Sequence, residues 1–196
     1  NDCRAAVSFL RLNAKRFNLD PKRFGAAGES SGGHLTALLA TTSDTNEFQK
    51  HPVTQKASSA IQAASPWCGP TDFLKLNDVK ASQNYSNPRS APSRLVGKSI
   101  KQAPEKCRQA NPITYVTKDD PPCFIVHGDR DFVVPLNQSE LLHAALGEAG
   151  VPSTLHVVKG AGHGFSKITP ANEKVVEKVM DFFDSQFKSE KKQTVP

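Results

Sequence analysis

The 196-residue chain is 37% hydrophobic and 22% charged, the balance of one globular unit with a single buried core rather than of a disordered segment. Its net charge of +6 comes from cations scattered along the chain, with no basic patch interleaved with aromatics, so nucleic-acid binding is not expected. No run approaches the ~18 consecutive apolar residues of a membrane helix, so no membrane span is expected.

In chain order, Ala6, Phe9, Leu10, Ala14 and Phe17 recur at helical spacing, and the pattern predicts a helix over 1–18 with Asp2 near its cap. Pro21 stops it, since a proline biases the preceding residue away from helix. A short strand at 23–27 leads into a Gly-rich turn and a helix from about Gly32 to Thr41. The next strand is expected at 60–64, running into Ser65-Pro66-Trp67-Cys68-Gly69-Pro70. From about 65 to 114 the chain is polar and rich in Pro, Ser and Asn, too long for a plain loop, and reads as a functional excursion with short helices. Cys123–His127 is an apolar strand, 136–149 a helix with Gly150 just past its end, and 155–158 a strand. Thr169 and Pro170 open a last helix with Val176, Val179, Phe183 and Phe187 as its buried stripe, before a tail (188–196) expected to fray. Helices alternating with short apolar strands call for an α/β architecture: a parallel sheet covered on both faces, with ligands bound at the carboxyl ends of its strands.

The four cysteines, Cys3, Cys68, Cys107 and Cys123, form no C-x-x-C pair, so neither metal binding nor a cysteine nucleophile is expected. Cys123 reads as a small buried hydrophobe, and a Cys68–Cys107 disulfide stays open. The sequence starts Asn1-Asp2-Cys3-Arg4, without initiator Met or apolar leader, so a leader or larger segment is expected upstream; the compartment is not legible, with secretion and the periplasm both open.

Three strand-end positions carry the chemistry. Gly28-Glu29-Ser30-Ser31-Gly32 fits G-x-S-x-G between a predicted strand and a predicted helix. Such a sharp turn lifts the serine hydroxyl above the sheet, with small residues letting backbone approach and the helix N-terminus favouring negative charge. A serine hydroxyl needs a base held by a third group. His163, in Gly160-Ala161-Gly162-His163-Gly164-Phe165, follows a strand and is flanked by glycines, whereas His34, His51, His127, His143 and His156 have less suitable settings. Between nucleophile and base, His127-Gly128-Asp129-Arg130-Asp131 offers two carboxylates. Asp129, directly after the strand, suits a turn cap, and Asp131, further out, suits an imidazole. The candidate catalytic set is therefore Ser30, Asp131 and His163, in the chain order of α/β-hydrolases.

The run Gly28-Glu29-Ser30-Ser31-Gly32-Gly33-His34-Leu35 resembles the nucleophile elbow of the small esterase/lipase group of α/β-hydrolases, near its feruloyl-esterase-like and acetyl-xylan-esterase-like members. The segments Ser65–Phe73 and Asn111–Val116, the Asp131 loop and Gly162-His163-Gly164-Phe165 resemble the same group in the same order, over nearly the whole chain. The resemblance implies an α/β-hydrolase fold and hydrolysis of small-molecule carboxylic esters through an acyl-serine, with no metal or organic cofactor. It departs from the group in lacking an H-G-G segment upstream of Ser30, whose backbone N–H groups form part of the oxyanion hole there. The Ser31 N–H remains as the local oxyanion donor.

The first strands of the fold are also expected to be absent, so the chain reads as one domain, the C-terminal two-thirds of the fold or a short version of it. The Ser30 strand would then be a sheet edge through which the chain forms a homodimer, and its turnover would be weak. The excursion holds few large apolar residues and implies short acyl chains, acetyl to butyryl. Two rival readings are a prolyl-oligopeptidase-like serine peptidase domain, which shares a similar Asp loop and G-H-G-F segment, and a hydrolase remnant with impaired catalysis.

Overall fold

The computed structural model of the chain describes residues 1–43, 45, 52–164 and 170–188, those at 170–173 by their backbone alone. The segment expected to form one helix is two: α1 (Asp2–Leu12) and the single turn α2 (Ala14–Phe17), meeting at Asn13. The Asn13 side chain donates to the Phe9 carbonyl at 2.8 Å, competing with the helix's own ladder. The buried face is also not the one expected. Ser8 and Ala14 are buried while Phe9, Leu10 and Phe17 stay exposed, because Arg11 on the inner face binds the carbonyls of Ser58 and Ala60 and stacks its guanidinium on Phe24.

β1 (Gly25–Glu29) leads through Ser30 into α3 (Ser31–Thr41), and β2 (Ala63–Trp67) follows. β2 starts three residues later than expected and contains Pro66. A proline lacks the ladder N–H and normally marks a strand's end; here it sits one residue before the last, opposite Gly28. The excursion carries α4 (Ala91–Val96), α5 (Pro104–Ala110) and tight turns at Phe73–Lys75, Ile100–Gln102 and Pro112–Tyr115. It is polar in composition but not without a core. Phe73, Leu76, Tyr85, Val96, Ile100 and Cys107 pack together beside the sheet, which corrects the expectation of few large apolar residues.

β3 (Cys123–Gly128), α6 (Asn137–Glu148), β4 (Ser153–Val158) and α7 (Pro170–Phe187) complete the unit. Gly150, directly after the cap of α6, takes φ 78°, the left-handed conformation that favours glycine. All pairings are parallel, in the order β1-β2-β3-β4. Side-chain alternation divides the two faces. Cys123 and Ile125 pack with α3 and α6, and Phe124 and Val126 pack toward α7. Along α7 the inner residues are Val175 at 2% exposure and Val179 at 5%, whereas Val176, placed in the stripe from sequence, is 50% exposed. Val175, Val179 and Phe183 lie on the face turned to the sheet, and a step of one residue rotates a side chain by about 100°.

Cys68 and Cys107 are free thiols in separate clusters, so the open disulfide is not formed. Phe165, Thr169 and most of the tail expected to fray (189–196) lie outside the described residues. Among the described residues, β1 pairs with β2 alone.

Candidate active site

The elbow is built by close backbone packing. Ser30 takes φ 57° and ψ −118°, a conformation non-glycine residues rarely adopt. It is locked there by its N–H to the Trp67 carbonyl at 2.9 Å and by its carbonyl, which accepts from the His34 N–H at 3.0 Å. A Cβ on Gly28 would lie 2.5 Å from the Gly32 carbonyl oxygen, and one on Gly33 would lie 2.3 Å from that of Trp67. Gly32, by contrast, faces open space among the described residues, so the crowding that the motif suggests there falls on Gly33 instead.

The carboxyl ends of the strands bring the sequence-predicted residues together. His163 Nε2 lies 2.9 Å from Ser30 Oγ, and His163 Nδ1 lies 2.7 Å from Asp131 Oδ2. The other oxygen, Asp131 Oδ1, accepts the Val133 and Val134 N–H groups at 2.8 and 2.9 Å. Burial alone would raise the Asp131 pKa, but hydrogen bonds from His127, His163 and the Val134 N–H outweigh it and hold the carboxyl well below the usual range. In turn, the hydrogen bond to Asp131, followed by the neighbouring Cys68, raises the pKa of His163. Asp129 is elsewhere employed: its Oδ1 accepts the Gly160 N–H at 2.6 Å. Together with the Arg130 N–H to the Ala161 carbonyl at 2.9 Å, this stitches the acid loop to the histidine loop. Asp129 is thus a cap, as expected, though of the neighbouring loop rather than of its own turn.

Ser31 opens α3, where the first-turn N–H groups have no intrahelical acceptor. His34 donates from Nδ1 to the Pro70 carbonyl at 2.9 Å and stacks on Phe73; burial lowers its pKa, against the opposing pull of the Pro70 hydrogen bond. The excursion is anchored near the site by two amides. Gln138 Oε1 accepts the Thr71 and Asp72 N–H groups, and Asn111 Oδ1 accepts that of Phe73. Between excursion and elbow lies a hollow of about 730 Å³, bounded by Ser30, Ser31 and Leu35 on one side and by Phe73, Leu76, Leu95 and Val96 on the other.

Two residues were missed from sequence. His127 is fully buried: Nδ1 meets Ser139 Oγ at 2.7 Å, Nε2 donates to the Val134 carbonyl at 2.8 Å, and Nε2 lies 3.3 Å from Asp131 Oδ2. Its place two residues before Asp129 gave no sign of this, because the contacts come from α6 and from the far side of the loop. Cys68, directly after β2, is buried against His163 and Asp131, and nothing local in the sequence marks it.

The model of the BD-FAE family matches residues 1–146, three quarters of the chain. The chain belongs to the BD-FAE family, and its fold is that of the α/β-hydrolases. Among curated proteins it is 31% identical over 184 residues to the esterase LipQ of Mycobacterium tuberculosis, covering 92% of this chain and 42% of that protein. It is 32% identical to the probable carboxylic ester hydrolase LipM of the same organism, covering 70% of this chain and 31% of that one. Among solved structures, a truncated carbohydrate esterase from gut microbiota superimposes with a TM-score of 0.80 at 32% identity, over 94% of this chain and 67% of that one. The chain thus spans 42% and 31% of the length of these two mycobacterial relatives. Among the described residues of this BD-FAE chain, no helix is long and apolar enough to cross a membrane.

Proposed function

We propose that this chain hydrolyses carboxylic esters through an acyl-serine intermediate, with Ser30 as nucleophile, His163 as base and Asp131 as its orienting acid. The observation that carries the reading is the unbroken line from Ser30 Oγ through the His163 ring to Asp131 Oδ2, at 2.9 and 2.7 Å. His163 Nε2 takes the Ser30 proton as Oγ attacks the ester carbonyl, and returns it to the leaving alcohol. Asp131, ionised and pinned by two backbone N–H groups, keeps the ring proton on Nδ1 and stabilises the imidazolium. Water, activated by the same imidazole, then releases the acid. The Ser31 N–H serves as one oxyanion donor.

The names of the relatives, esterases and ester hydrolases, support ester substrates over peptides. The excursion side of the hollow beside Ser30 includes Phe73, Leu76, Leu95 and Val96 along with Gln83, Lys106 and Gln109, which supports acceptance of acyl groups beyond the short ones favoured from sequence. We further propose that two copies associate through β1, which among the described residues pairs on one side, with β2.

The test is labelling with a tagged fluorophosphonate, followed by turnover of p-nitrophenyl esters and of a prolyl p-nitroanilide. Labelling at Ser30 with ester turnover alone supports the proposal. Anilide cleavage would favour the peptidase, and no labelling would leave a remnant without catalysis. Sedimentation tests the association, and a monomer across the measured concentrations refutes it.

A further inference from the structure

Each of the four strands delivers one chemically reactive side chain at its carboxyl end: Ser30 directly after β1, Cys68 directly after β2, then Asp131 beyond β3 and His163 beyond β4. The proposed hydrolysis uses three of them and leaves Cys68. That residue is fully buried and takes φ 38°, left-handed backbone that is uncommon for a non-glycine residue. Its thiol sits at the middle of the sheet, between the strands that carry Ser30 and Asp131. Cys68 Sγ, a ring nitrogen of His163 and a carboxylate oxygen of Asp131 all lie within 4.8 Å of one another.

Thiolate, imidazole and carboxylate are the three ligand types of protein-bound zinc, at about 2.3 Å from sulfur and about 2.0–2.2 Å from nitrogen and oxygen. A tetrahedral ion with those bond lengths holds its ligand atoms roughly 3.2–3.8 Å apart. The existing cluster needs shifts on the order of 1 Å to reach that geometry. Asp131 is held through Oδ1 by two backbone N–H groups, and its Oδ2, now bonded to His163 Nδ1, would exchange that bond for the ion. The His163 side chain is 19% exposed and so offers the way in.

We propose that Cys68, His163 and Asp131 bind a thiophilic divalent cation, zinc or cadmium, and that its binding reversibly blocks Ser30. Inhibition rests on the hydrolase reading above; cation binding does not. The thiol releases its proton on binding. If the ion takes Nδ1, the ring proton moves to Nε2, which can then no longer accept from Ser30. If it takes Nε2, that nitrogen is occupied outright. Either route removes the base while the fold stays intact. Magnesium and calcium prefer all-oxygen sites and serve as controls.

The test uses the whole chain with two readouts. Zinc chloride is titrated into p-nitrophenyl acetate hydrolysis and then removed with EDTA, and cobalt(II) is titrated while the sulfur-to-cobalt charge-transfer absorption is recorded. The expected result is loss of at least about tenfold of the activity with zinc, recovered with EDTA, and none with magnesium. Cys68→Ala should move the inhibitory zinc concentration up by at least about tenfold and abolish the cobalt band. Cys68→Ser, close in volume, should also lose the band and covers the case in which the alanine variant does not fold. Equal zinc sensitivity in either variant and the parent, or no cobalt band in the parent, overturns the proposal. A chain that hydrolyses no ester overturns the hydrolase reading instead, and the cobalt band then decides the cation site alone.

Discussion

Replacing Asp131 by asparagine changes one atom, and the structure specifies how that atom must sit. The side-chain oxygen has to remain on the Val133 and Val134 N–H groups, now 2.8 and 2.9 Å from Oδ1. The new NH₂ then takes the place of Oδ2, 2.7 Å from His163 Nδ1 and 3.3 Å from His127 Nε2. A donor there repels a protonated Nδ1, so the His163 proton moves to Nε2 and the ring can no longer accept from Ser30. The same change of tautomer in serine proteases costs about 10⁴ in kcat, or about 5.4 kcal/mol of transition-state stabilisation. Asp129→Asn is the matched control. Its amide oxygen can still accept the Gly160 N–H, so the loop stays stitched and the loss should stay below about tenfold, ~1.4 kcal/mol. Initial rates on p-nitrophenyl acetate, normalised to fluorophosphonate-reactive sites, measure both. Comparable losses in the two variants, or an Asp131→Asn protein within about tenfold of the parent, would refute the assignment of Asp131.

Ser30→Ala and His163→Ala should each remove most of the hydrolysis, and the double variant should lose little more, since the two act as a unit; additive losses would contradict this. His127→Phe should lower kcat and move the acid limb of kcat/KM upward, because Asp131, with one donor fewer, accepts more strongly from His163 and raises it further. His127→Gln keeps a donor and should recover part of both effects, whereas an unmoved limb would make His127 merely a packing residue. Gly28→Ala and Gly33→Ala should destabilise by about 1–3 kcal/mol, and Gly32→Ala should stabilise by about 0.4–1 kcal/mol, all read from denaturant midpoints. The pKa of Asp131 is lowered on folding, so its stabilisation is complete above the unfolded value of 3.8 and is lost as pH falls below it. Melting temperature should therefore drop more steeply in acid for the parent than for Asp131→Asn.

The order of strands and helices, the sharp turn at Ser30 and the reactive residues at strand ends were legible in the sequence. Each of these is written in local chemistry: a short apolar run or a helical pattern, a Gly-Ser turn, a proline, a glycine-flanked histidine. That Asp131 lies within reach of His163 while Asp129 binds backbone was legible for the same reason, since distance from the strand end separates a cap from a reaching side chain. Failures occurred where a residue's partner lies far along the chain. The inner face of α1 is set by Arg11 reaching carbonyls near residue 60, against the pull of its own apolar pattern. The stripe of α7 is set by Phe124, Val126 and Trp67 on the sheet. A polar composition hid the core of the excursion, because a few apolar residues spread from Phe73 to Cys107 form a cluster only once the chain folds back on itself. His127 and Cys68 went unrecognised because what matters about each is a neighbour on another element: Ser139 on α6 and the Asp131 loop for His127, and the loops after β3 and β4 for Cys68. Side-chain pattern is a property of one segment, whereas proximity across parallel strands is created by register, and register exists only in the folded sheet.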